Sequence, residues 1–198
     1  NPFAVQFLAG ADGTVELLPG VSLNAEIEAS LYDNFNRNRV NNSTLPHVRS
    51  DFIRYFEAGK TGIGDLEADY RFRLAPNVFA VAKAGYLESM FAGGGGEVLW
   101  QPEGQRWALG VDLYEVWQRD FDRLFGLQNY HVLTGHVLLY YQSPWHHLNF
   151  ALSAGQYLAG DRGLTFQVTR SFSTGVEVGA CFTTTNVSSQ QFGEGSFD

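Results

Sequence analysis

The chain has 198 residues and a formal net charge of -8, from 13 Lys+Arg against 21 Asp+Glu. This acidic balance argues against a nucleic-acid partner, because phosphate backbones are bound by clustered cations. A 44% apolar and 15% aromatic content argues against disorder, the single cysteine Cys181 excludes an internal disulfide, and no apolar run nears the ~20 residues of a membrane helix.

In chain order, the first clear element is Val21 to Tyr32. Val21, Leu23, Ala25, Ile27, Ala29 and Leu31 alternate with Ser22, Asn24, Glu26, Glu28, Ser30 and Tyr32. Successive side chains of a strand point to opposite faces, so one face is apolar and the other polar. Leu66, Ala68, Tyr70, Phe72 and Leu74 repeat the pattern against Glu67, Asp69, Arg71 and Arg73. Trp107, Leu109, Val111 and Leu113 do so against Ala108, Gly110, Asp112 and Tyr114. Leu164, Phe166 and Val168, then Val176, Val178, Ala180 and Phe182, close the series. Weaker runs at 3–10, 47–57, 78–88, 96–102, 129–142 and 146–157 raise the expectation to about eleven strands with no helix.

Several runs reach the ~9–11 residues that a tilted membrane strand needs, longer than the ~5–6 usual in water. Short turns at 75–77, 102–105, 143–144 and 173–175 alternate with longer connections at 89–95, 119–128 and 158–163. That asymmetry is typical of outer-membrane barrels, whose short turns face the periplasm. The polar 34–46 segment breaks the rule, since an eleven-strand count puts it at the short-turn end. Phe72, Phe79, Trp100, Trp107, Tyr140, Tyr141, Trp145 and Phe172 flank the short turns, as an interfacial girdle would. The expected fold is all-β: an antiparallel up-and-down transmembrane β-barrel, or part of one. Residues 1–198 form a single barrel section, expected to be incomplete at both ends.

Chemical motifs are weak by comparison. Gly59-Lys60-Thr61 lacks the earlier glycine and following helix of a phosphate loop and reads as a turn. Gly93 to Gly96 reads as a tight loop. Ser153 sits in a degenerate nucleophile-elbow string but inside a strand run, where no strand-to-helix turn exists. His146 and His147 on one strand would point apart, as would His131 and His136, so no metal site is expected. Glu26/Glu28 and Glu67/Asp69 are same-face carboxylates without a facing partner across a substrate. No catalytic residue, metal or cofactor is therefore assigned, and the chain is expected not to be an enzyme.

The strings Val48-Arg49-Ser50-Asp51, Gly93-Gly94-Gly95-Gly96-Glu97-Val98-Leu99-Trp100-Gln101-Pro102 and Phe125-Gly126-Leu127 are more specific together than any motif above. With them go Tyr130, Thr134-Gly135-His136, the run from Ala154 to Gly163, and Phe192-Gly193-Glu194-Gly195-Ser196-Phe197-Asp198. From about Leu45 to Asp198 the chain resembles the YjbH/GfcD-like outer-membrane proteins of exopolysaccharide and capsule gene clusters. The resemblance implies a bacterial outer-membrane barrel engaged in polysaccharide secretion, with polysaccharide, outer-membrane lipid and a periplasmic polysaccharide-export protein as partners. The polar faces then become the candidate lumen: Glu26, Glu28, Tyr32, Glu67, Asp69, Arg71, Arg73, Asp112 and Tyr114, surrounding water through which a hydrated glycan passes. Two rival readings are an outer-membrane enzyme modifying lipid or glycan, and a soluble β-sandwich binding sugar through its aromatics.

Overall fold

A computed structural model of the chain describes residues 6–33, 45, 51–188 and 191. The motifs in 34–44, 46–50 and 192–198, which include most of the polar insert and nearly all of two of the family strings, lie outside the described residues. The strands are β1 (Gln6–Leu18), β2 (Val21–Asp33), β3 (Thr61–Ala75), β4 (Val78–Tyr86), β5 (Phe91–Trp100), β6 (Trp107–Arg119), β7 (Leu127–Gln142), β8 (Leu148–Gln156), β9 (Arg162–Ser171) and β10 (Glu177–Thr185). One short helix, α1 (Phe52–Ala58), lies between β2 and β3. The strands form one sheet in sequence order, every neighbouring pair antiparallel, with β1 and β10 at its edges.

Among the described residues the expected eleven strands become ten, and two expectations change as a result. The 47–57 run was expected to be a strand, but its described part is helical from Phe52. Tyr55 accounts for this locally: its side chain is buried against Phe121, ring centroids 5.1 Å apart, so the segment is held by one packed ring and not by a strand ladder. Without that strand, the end of β2 at Asp33 and the start of β3 at Thr61 both lie at the end that carries the 87–90, 120–126 and 157–161 connections. The anomaly at the short-turn end disappears. That end now holds the five tight turns, including Pro19-Gly20, where Gly20 has φ +80°.

Two local expectations also fail. Gly93 to Gly96 is not a loop but the body of β5, pairing with Gly85 to Ala82 on one side and Val116 to Leu113 on the other. His146 and His147 are not in a strand but in the β7–β8 turn, with φ of 57° and 51°.

Register aligns the alternation of every strand. Leu109, Val111 and Leu113 lie beside Leu139, Val137 and Gly135, then Leu152 and Ala154, then Phe166 and Leu164. This apolar face is uncovered: Val111 is 53% exposed, Val137 58% and Phe182 68%. Near the tight turns it carries rings, with Trp100 and Trp107 edge-to-face at 5.2 Å and Phe150 stacked between Tyr141 and Phe166. Phe79 and Tyr140, expected in the same band, fall by register on the opposite face, beside Arg73 and Ala108.

The sheet coils strongly towards its polar face. The 120–126 connection joins β6 to β7 yet reaches β2 and β3, where the Ile63 amide donates to the Arg123 carbonyl at 3.0 Å. Glycines let the strands crowd on this concave side. A Cβ on Gly155 would lie 2.0 Å from the Gly135 carbonyl oxygen, whereas one on Gly13 would meet nothing within 4 Å. Gly155→Val is therefore expected to cost about 1–3 kcal/mol through overpacking, while Gly13→Ala stays near neutral; denaturant midpoints of the detergent-solubilised protein measure both.

Candidate functional site: the polar face

The concave face is a continuous row of polar side chains built from one residue in two along each strand. On β1 to β3, Thr14 Oγ1 donates to Asn24 Oδ1 at 2.8 Å, and Asn24 Nδ2 donates to Asp69 Oδ2 at 2.6 Å. Arg71 Nη1 lies 2.9 Å from Asp69 Oδ1, and Asp69 is fully buried under these partners. Lys83 Nζ faces Glu67 Oε1 at 3.5 Å across β3 and β4. Tyr114 donates its hydroxyl to Glu97 Oε1 at 2.8 Å across β5 and β6, and Asp112 lies 3.0 Å from His136 Nδ1 across β6 and β7. The row ends on hydroxyls, with Tyr157 beside Thr165 at 2.7 Å and Thr165 beside Thr183 at 2.9 Å.

Large polar groups face glycine on the neighbouring strand. Tyr114 pairs with Gly95, His136 with Gly155, and Glu67 with Gly85. The missing side chain leaves room for the long one where the coiled sheet narrows.

Of the nine candidate lumen residues, eight share this face. Glu67, Asp69, Arg71, Asp112 and Tyr114 belong to the hydrogen-bonded row. Glu26 pairs with Asp12, Glu28 reaches the far connection, and Arg73 lies over the Phe79 ring at 5.6 Å. Tyr32 departs from the row. A bulge leaves Leu31 without a partner and sets Tyr32 opposite Phe7, with ring centroids 6.1 Å apart. Alternation counted along one strand has no means of seeing an extra residue in the ladder.

The sequence analysis missed Lys83, Glu97 and His136. Lys83 is an isolated charge in a run that is apolar on both faces, and Glu97 follows glycines that carry no facing signal. It also missed the closure of the long-connection end. Here Arg119 is fully buried and donates to four carbonyls: Gly64, Glu88, Arg123 and Leu124, at 2.7–3.3 Å. Its guanidinium lies 4.7 Å from the Tyr86 ring centroid. Arg123 extends from the same connection to pair with Glu28. Tyr55 Oη donates to the Arg119 carbonyl at 2.6 Å, and Met90, Phe91, Val116 and Val132 complete a small core beneath. These groups draw β2, β3, β6 and α1 together over one end of the concave face.

Among the described residues, no cluster of three His, Cys, Asp or Glu could hold a metal ion. Cys181 pairs with Gln167 on the concave face and is exposed. What the face offers chemically is hydration, fixed charge and hydroxyl or amide hydrogen bonding.

A long antiparallel meander with an uncovered apolar face and a polar concave face defines an all-β protein built on one two-faced sheet. The family to which it belongs is established by comparison. The YjbH family model, described as "Exopolysaccharide biosynthesis protein YbjH", matches residues 1–198, so the chain belongs to that family. It is 38% identical over 189 residues to an Escherichia coli (strain K12) protein described as "Uncharacterized lipoprotein YjbH". The match covers 93% of this chain but 27% of the relative, so the chain spans about a quarter of that protein. No solved structure matches.

Two outcomes test the closed end. Arg123→Ala strands the half-buried Glu28 carboxylate and is expected to cost about 1–3 kcal/mol, read as faster proteolysis within 120–126. Burial pushes the Tyr55 phenol up to about 12 from 10. A raised folded-state value means that its stabilising contribution is complete below pH 10 and fades as pH rises from 10 through 12. Spectrophotometric titration against a Tyr55→Phe variant is expected to reveal one late-ionising tyrosine.

Proposed function

We propose that this chain is a section of outer-membrane β-barrel wall, with its apolar face against lipid and its polar face lining a wet path for exopolysaccharide. The observation that carries the reading is the uncovered apolar face on strands of 9–16 residues. In water, contiguous apolar patches beyond a few hundred Å² mark an interaction surface. Here such a face runs across every strand and ends in rings, as a lipid-facing surface with an interfacial girdle does. The family's link to exopolysaccharide biosynthesis supplies the cargo. The lipoprotein relative supports an envelope location.

The proposed role is passive and non-catalytic. Mixed carboxylates and guanidiniums keep the concave face hydrated without focusing on one reacting atom. Ten strands enclose less than the ~16–18 of a porin, so a wide passage needs strands beyond these or a second chain. The relative is several times longer than this chain, which leaves room for such strands within one protein. A periplasmic export protein at one mouth would complete the route.

Face-specific arginine scanning of the full-length protein in bilayers tests the orientation. Val111→Arg is expected to cost about 2–4 kcal/mol where it meets lipid, whereas Ser153→Arg on the concave face costs far less. Equal penalties on both faces would overturn the membrane reading. Conductance of the same protein in planar bilayers is the direct test of a path. Its absence from correctly inserted protein would overturn the conduit.

A further inference from the structure

The concave face is chemically divided. From β1 to β6 it carries Asp12, Glu26, Glu28, Glu67, Asp69, Arg71, Lys83, Glu97 and Asp112, of which Glu67 pairs with Lys83 and Asp69 with Arg71, while Glu97 accepts from Tyr114, Asp112 meets His136 and Glu28 meets Arg123. From β8 to β10 its residues are Asn149, Ala151, Ser153, Thr165, Gln167, Thr169, Gly179 and Cys181, with Glu177 near the tight turns. At the tight-turn end of this neutral half lies a groove of about 420 Å³. That volume falls within the roughly 300–1,000 Å³ typical of small-ligand sites.

The groove is lined by the amides of Gln101, Gln105, Gln142, Asn149 and Gln167 and by one concave-face ring, Tyr140. Gln142 and Asn149 are directly paired across β7 and β8, and Asn149 pairs onward with Thr169. Tyr140 stands between Ala108 on β6 and Ala151 on β8, with its ring edge over Gly110 and 40% of the residue exposed. Among the described residues, the side chains of Gln101, Gln105, Gln142 and Asn149 make no hydrogen bond, unlike the charged row, whose members satisfy one another.

We infer that this groove is a binding subsite for a neutral stretch of glycan. Free amides present a donor and an acceptor together, which matches the mixed donor and acceptor character of sugar hydroxyls. The Tyr140 ring, 40% exposed, supplies an apolar surface for the C–H face of a pyranose. Charge selects against a polyanion: the groove holds one cation, Arg106, beside Glu177, in a chain of net charge -8. The inference deepens the conduit reading and rests on it for the choice of ligand class.

The test uses the full-length protein in lipid nanodiscs, titrated calorimetrically with a neutral glucose hexasaccharide and with an oligogalacturonate of equal length. Binding of the neutral probe with at least tenfold preference over the acidic one is expected. Asn149→Ala and Tyr140→Ala are each expected to weaken it by about tenfold, as loss of one desolvated polar or packing contact does. Glu103→Ala in the adjacent turn should leave it unchanged. No binding of the neutral probe by the unaltered protein, or a preference for the acidic one, overturns the subsite. Conductance measured on the same preparation separates the two ideas. Current without neutral-glycan binding removes the subsite and leaves the conduit, and binding without current does the reverse.

Discussion

In an antiparallel ladder each strand surrenders its backbone polar groups to its neighbours and retains only its side chains to distinguish one face from the other. Ten strands joined in sequence order obey that constraint from Gln6 to Thr185. Because the side-chain period is two, a consistent register propagates the polarity of each strand into a polarity of the whole sheet. The uncovered apolar face, the ring belt and the hydrogen-bonded concave row are three expressions of the same alignment. A slip of one residue anywhere would place Asp112 or Asp69 among Val111, Leu66 and Tyr70.

The bulges are where the alignment is adjusted. Register shifts beside Leu31, between Ala25 and Ile27, and between Trp117 and Arg119 lie towards the long-connection end, and those at Glu16/Leu18 and Arg73/Ala75 adjoin tight turns. Bulges sharpen local twist and bend the strand that carries them. At this end the sheet coils far enough for the β6–β7 connection to meet β2. Arg119 then holds the fold-back through four carbonyls and the Tyr86 ring. A fixed planar cation suits that task, because its forked donors reach carbonyls of β3, of the β4–β5 connection and of the β6–β7 connection at once. Among the described residues the opposite end has no such closure, and the amides of Gln101, Gln105, Gln142 and Asn149 line an open groove there.

Concave-side glycines reconcile coiling with bulky polar groups. Gly95 beside Tyr114 and Gly155 beside His136 remove the Cβ where two backbones approach closely. The same glycine run that reads as a loop in isolation is thus central strand. The physical reason is that glycine's permissiveness serves close approach as well as turning. The YjbH family membership and the exopolysaccharide association enter independently of this geometry.

Alternation in Val21–Tyr32, Leu66–Leu74 and Trp107–Tyr114 was sufficient by itself to define an all-β chain with two unlike faces, since chemistry repeating every second residue has one geometric reading. The placement of Glu67, Asp69, Arg71, Asp112 and Tyr114 on one face followed from it. Four things required the folded chain: the helix in place of a strand at Tyr55, the displacement of Tyr32, the recruitment of Lys83 and His136, and the fold-back held by Arg119 and Arg123. Each depends on contacts between residues distant in sequence, on an extra ladder residue or on sheet coiling. A local pattern carries none of these, because they arise only when separate strands are brought into register and bent around a shared interior.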